Sequence, residues 1–206
     1  MWLWRVISRI KNIMDLNVPK CWNCGFTDKN FNFFCLRCFK VQKPIEIDPF
    51  KIFGLDYDFK INTEKLEIYY YELQNKLHPD KYINATNEES YFSQIHSSNI
   101  NIAYEKLINP ISRANELLKV FGFLVDNERN SFTDTKILGE IMELQEESEN
   151  LNTINDKKLF LNKIENKIKV LVKNLENSFK FKKLSLANEL NVEISYLEKI
   201  KKNINQ

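Results

Sequence analysis

Residues 63–81 read TEKLEIYYYELQNKLHPDK, and this stretch decides the fold. Leu66, Tyr70, Leu73 and Leu77 recur at spacings of four, three and four, which is one apolar stripe of an α-helix. Asn62 or Thr63 can cap the start. Pro79 ends the helix at His78, because a residue before proline avoids the α region. A polar run, 80–87, follows without apolar periodicity. Helix resumes near Glu88, with Phe92, Ile95, Ile102, Ala103 and Leu107 expected on one side. Asn109-Pro110 breaks it, and a further helical run reaches Gly122.

Upstream, Asp48 can cap a short helix, Pro49 suits its first position and Gly54 its exit. Downstream, periodicity predicts three long amphipathic helices, over about 134–151, 156–180 and 184–204. The middle one carries Phe160, Ile164, Ile168, Leu171, Leu175 and Phe179. Short joints between them suggest a small antiparallel bundle. Gly139 inside the first costs about 1 kcal/mol relative to Ala.

Composition agrees with a helical chain. Of 206 residues, 43% are apolar and 28% charged, while only 4 are Gly and 5 Pro. So few permissive residues argue against a turn-dense all-β fold and against Gly-rich phosphate loops. No stretch reaches 18 uninterrupted apolar residues, the length a membrane span needs. Residues 1–45 hold eight Lys/Arg and two Asp, a net of +6, while 46–206 carry a net of −4. The larger part therefore lacks the bulk positive charge of a nucleic-acid binder. Residues 1–18, MWLWRVISRIKNIMDLNV, combine Arg5, Arg9 and Lys11 with apolar residues and no acid before Asp15. This presequence-like basic tail points to the mitochondrial matrix, with the cytoplasm as the alternative.

All four cysteines fall in two C-x-x-C pairs, Cys21/Cys24 and Cys35/Cys38. A disulfide framework would staple the whole chain rather than 18 residues of it. Two thiolate knuckles facing each other make a closed tetrahedral site that suits one structural Zn2+, though iron fits the same ligands. With four protein ligands no position remains for a catalytic water. The metal would hold together a segment, 19–44, too short to build a core alone.

His78, Pro79 and Asp80 have no second base or nucleophile beside them in sequence, and the other histidine, His96, sits in an amphipathic helix. An enzyme is therefore not expected. A short helix, an amphipathic helix ending in His-Pro-Asp-Lys, a polar loop and a second helix resemble a J domain. The resemblance extends further. Asp48–Leu55 (DPFKIFGL), Asn101–Leu107 (NIAYEKL), Asn109–Leu118 (NPISRANELL) and Asp134–Leu144 (DTKILGEIMEL) are similar to the HscB-type J-domain co-chaperones of iron–sulfur cluster biogenesis. Cys21–Gly25 (CWNCG) with Phe33–Cys38 (FFCLRC) resembles the zinc module of eukaryotic members.

That resemblance implies a mainly α fold. It has a presequence-like tail (1–18), a four-cysteine zinc module (19–44), a J-domain hairpin (48–122) and a C-terminal three-helix bundle (126–206). It also implies two partners and an ATPase activator rather than an enzyme. A heat-shock seventy-class ATP-driven chaperone would meet His78, Pro79 and Asp80, with Lys65, Lys76 and Lys81 adding thin, salt-sensitive docking. An IscU-type cluster scaffold would meet an exposed patch of Leu138, Met142 and Tyr196. From the residues alone, Leu, Met and Tyr at helical spacing are more often core. No nucleic acid or membrane is expected as a partner, and homodimerisation is left open. The rival reading is a zinc-containing nucleic-acid or ribosome-associated module, supported by the basic N-terminus and by Trp22, Phe26, Phe31, Phe33 and Phe34.

Overall fold

The computed structural model describes residues 20–28, 30–123 and 135–204. The presequence-like tail and the joint at 124–134 lie outside them. Among the described residues there are seven α-helices and no strand. Helix α1 spans Pro49–Ile52, α2 Thr63–Leu77, α3 Asn87–Ile108, α4 Pro110–Val120, α5 Thr135–Glu149, α6 Ile154–Lys180 and α7 Leu184–Ile204. A 3-10 turn at Pro79–Tyr82 joins the α2–α3 hairpin. No helix is long and apolar enough to cross a membrane among the described residues.

Local chemistry sets the helix ends. The Asp48 carboxylate accepts the Lys51 N–H at 3.1 Å, and Asn62 accepts that of Lys65 at 2.9 Å. Asn109 caps α4 by accepting from the N–H groups of Ile111 and Ser112, with Pro110 at the first helical position. Thr153 accepts from Asp156 at the start of α6. Gly54 leaves α1 with φ +61, a left-handed position that glycine takes without strain.

Contacts divide the chain into two compact units. One joins the described part of Met1–Ile47 to Tyr69–Ile102, and the other joins Asp48–Ile68 to the described part of Ala103–Gln206. The four-cysteine segment thus shares a unit with the His-Pro-Asp end of the hairpin. Helix α4 shares one with the C-terminal helices.

In the first unit α2 and α3 run antiparallel. The Tyr70 hydroxyl donates to Asn101 Oδ1 at 3.0 Å, and Gln74 and Ser97 exchange hydrogen bonds of 2.9 and 2.8 Å. The buried stripe of α3 is Glu89, Ser93, His96 and Ile100, continuing through Ala103 and Leu107. Ile102, expected on the core side, is exposed. The stripe runs through polar residues because much of it faces the cysteine module.

In the second unit α7 is the central element, packed on α4, α5 and α6. Phe160, Ile164, Ile168, Leu171, Leu175 and Phe179 of α6 are buried, as their spacing predicts. The ring of Phe179 stacks on Phe59 at 5.6 Å, and the Arg113 guanidinium lies 4.9 Å from the centre of the Phe59 ring. Arg113 Nη1 also donates to the Leu107 carbonyl at 2.6 Å, satisfying one of the open carbonyls at the end of α3. Asn191 of α7 donates to Asn115 Oδ1 of α4 at 2.8 Å. Lys167 of α6 pairs with Glu140 of α5 (2.9 Å) and Glu193 of α7 (3.1 Å). The bundle is held by a shared apolar core with charged ties at its edges.

Candidate functional site

The two C-x-x-C knuckles share one hydrogen-bond pattern. In the first, the Gly25 N–H donates to the Cys21 carbonyl at 2.9 Å and the Cys21 N–H donates to the Phe26 carbonyl at 2.8 Å. In the second, the Phe39 N–H donates to the Cys35 carbonyl and the Cys35 N–H to the Lys40 carbonyl, both at 2.9 Å. The residue after each pair is left-handed, Gly25 at φ +71 and Phe39 at φ +60. An antiparallel bridge between Phe34 and Val41 closes the second knuckle.

Folding brings all four sulfurs within 4.8 Å of one another, with Cys21–Cys38 and Cys24–Cys35 separations of 3.6 Å. A tetrahedral site with bonds of about 2.3 Å has sulfur–sulfur edges of about 3.8 Å, so the cage fits a single ion. The four cysteines are positioned to bind a metal. Burial raises the Cys21 thiol, but the N–H groups of Cys24 and Asn23, with Gln42 and Cys38, outweigh it and bring the thiol to about 6. Cys24 moves the other way. A hydrogen bond from the Phe26 backbone lowers it, but burial and the three neighbouring sulfurs push it to about 12. Cys38 moves down as Cys21 does, chiefly through the Lys40 backbone, and a thiol that still holds its proton must release it to bind a cation.

At the hairpin tip, His78 is extended (ψ 129) and caps the 3-10 turn, its Nδ1 accepting the Asp80 N–H at 3.3 Å. The His78 and Asp80 side chains stand 51% and 80% exposed, 3.6 Å apart. Pro79 fixes the direction of the chain between them. The Tyr82 hydroxyl donates to the Lys76 carbonyl at 3.0 Å and Lys81 Nζ donates to Asn75 Oδ1 at 2.6 Å, so two bonds fasten the turn to the end of α2. Asn75 and Tyr82 were not singled out by sequence reasoning; only their closeness to the tripeptide could have pointed to them. The Lys65 and Lys76 side chains are exposed, and Lys65 lies in the second unit.

On α5, Ile141 and Leu144 are buried, whereas Leu138 and Met142 are 44% and 61% exposed. Two apolar side chains four positions apart therefore stack on an outward face. Tyr196 of α7 is half-buried. A Cβ at Gly139 would meet nothing within 4 Å, so packing gives no reason for that glycine.

The C-terminal residues 133–205 match the family model described as the HSCB C-terminal oligomerisation domain. The chain is 30% identical over 192 residues to the human iron–sulfur cluster co-chaperone protein HscB, covering 91% of this chain and 82% of that one. The chain belongs to the HscB co-chaperone family. The homologue from Arabidopsis thaliana is 35% identical over 161 residues, 77% of this chain and 61% of its own. The crystal structure of human HscB superposes with a TM-score of 0.85, covering 91% of this chain and 97% of that chain at 30% identity. HscB from Vibrio cholerae, at 23% identity, shares the fold with a TM-score of 0.70. Membership in the family agrees with a mainly helical chain carrying a four-cysteine cluster.

Proposed function

We propose that this chain is a two-headed adaptor of iron–sulfur cluster delivery. One head is the His78-Pro79-Asp80 corner within residues 48–122, which meets a heat-shock seventy-class chaperone and stimulates its ATPase. Lys65, Lys76 and Lys81 add charge to the encounter. The other head, within 126–206, holds an IscU-type scaffold on Leu138, Met142 and Tyr196. Carrying both on one chain raises the scaffold's effective concentration at the chaperone. The chain does no chemistry itself, and the cluster is its cargo. The four cysteines hold Zn2+ as a structural ion, and the mitochondrial matrix is the place of action.

The observation that carries this reading is the solvent-facing His-Pro-Asp corner, built on the end of an antiparallel hairpin in a chain of the HscB family. The nucleic-acid reading loses support from its aromatics. Trp22 donates to the Val41 carbonyl at 2.8 Å and meets Phe92 edge-on, and Phe31 and Phe33 pack on His96. The test is single-turnover ATP hydrolysis by the partner chaperone. With the fold unchanged, His78→Gln should remove most of the stimulation; stimulation that survives at the wild-type level overturns the chaperone assignment.

A further inference from the structure

The buried face of α3 is shaped by the cysteine module. Glu89, two residues into α3, is buried, and its carboxylate takes Lys40 Nζ at 2.6 Å and the Val41 N–H at 3.4 Å. Two turns later, His96 is buried beneath Phe31 and Phe33, with Nε2 2.8 Å from the Gln42 carbonyl. Phe92, between them, meets Trp22. Gln42 continues the connection inward, its amide donating to Cys21 Sγ at 3.5 Å. A carboxylate and an imidazole on the core stripe of a helix are costly to bury without partners. Every hydrogen-bond partner named here for Glu89 and His96 comes from residues 40–42, directly after the second knuckle.

We infer that metal occupancy of the four-cysteine cage governs the order of α3 behind the His-Pro-Asp turn, with Glu89 and His96 as positioning residues. Residues 20–47 are too few to hold a core without the ion. When the cage opens, Lys40, Val41 and Gln42 leave their places. Glu89, Phe92 and His96 lose their cover, and the first half of α3 frays. The turn at Pro79–Tyr82 is followed within five residues by that half of α3. The cage is thereby a metal-dependent control on the co-chaperone's output, an inference that rests on the chaperone reading for its functional consequence but not for the ordering of α3.

Amide hydrogen exchange on the full chain, with Zn2+ bound and after its removal, tests the ordering directly. Removal should lower protection over 87–100 by about tenfold or more while 135–204 keeps its protection. Lys40→Met leaves all four sulfurs in place and, by removing the Glu89 ion pair alone, should give a smaller loss centred on 87–92 with Zn2+ still bound. Stimulation of the chaperone should fall about tenfold on metal removal, a size common for coupled sites, and less with Lys40→Met. Unchanged protection over 87–100 in metal-free protein overturns the inference, whether or not stimulation falls. His78→Gln separates the two ideas: it should abolish stimulation while leaving exchange over 87–100 as in the wild type. If it spares stimulation, the chaperone reading fails and the exchange result alone decides the ordering of α3.

Discussion

Phe39 occupies a left-handed backbone position, φ +60, which the first knuckle gives to Gly25. An L-residue there carries a strain of roughly 1–2 kcal/mol, and a bulky one adopts it rarely. The ring is 77% exposed, so little burial offsets that strain. Phe39→Asn should therefore raise the stability of the metal-loaded protein by up to about 1 kcal/mol, read as a higher midpoint in thermal melts. A lower midpoint would show that the ring contributes packing the strain argument neglects. The position of the strain was readable in outline, since Gly25 marks the same step of the first knuckle. That a phenylalanine would accept it was not, because hydrogen bonds at both sides of the knuckle impose the conformation whatever the side chain. The same holds for the ligands: Cys21, Cys24, Cys35 and Cys38 are legible as pairs, but only folding brings the pairs together.

The helices α2, α4, α6 and α7 were legible in extent, and α6 also in face, because it buries one apolar stripe along its length. Helix α3 was legible in extent and, at Ala103 and Leu107, in face, but not in its first half. Its buried stripe passes through Glu89, Ser93 and His96, and no periodicity rule counts those as core. Helix α5 shows the converse. Leu138 and Met142 look like core in sequence, and the structure turns them outward while Ile141 and Leu144 are buried. Truncating them should leave the bundle standing. Leu138→Ala with Met142→Ala should keep far-UV circular dichroism unchanged and weaken scaffold binding by about 2 kcal/mol or more, the scale of an interface hot spot, measured by calorimetry. Loss of helicity instead would mean that the two side chains support the core. Tyr196 is half-buried, and its assignment to the patch rests on family resemblance.

Acid sensitivity belongs to the whole molecule, because both units contribute groups, His96 in the first and Glu116 in the second among them. Burial moves His96 below its ordinary 6.5, only partly opposed by its hydrogen bond to the Gln42 carbonyl. Burial raises Glu116, but hydrogen bonds from Lys119 and Lys106 outweigh it and leave the carboxyl below its ordinary 4.5. In both cases the unfolded chain takes up a proton that the folded chain refuses, so stability is full above the ordinary value and declines as pH falls below it. His96 and Glu116 should thus make denaturant midpoints decline below about 6.5 and again below about 4.5, on top of the fall that the lowered Cys21 thiol gives as pH drops from about 9 to 6. His96→Gln should flatten the first decline and leave the second; an unchanged first decline would assign it to another group.

The order of helices, the helix stop at His78-Pro79 and the two C-x-x-C pairs were determined by the sequence itself. Helix periodicity, proline geometry and thiolate spacing act over a few residues and need no distant partner. Tertiary structure alone decided that residues 40–42 cover the polar stripe of α3, that α4 packs with the C-terminal helices and that Leu138 and Met142 face outward. Those outcomes depend on which surfaces meet across long stretches of chain, and burial is fixed by the neighbour rather than by the residue.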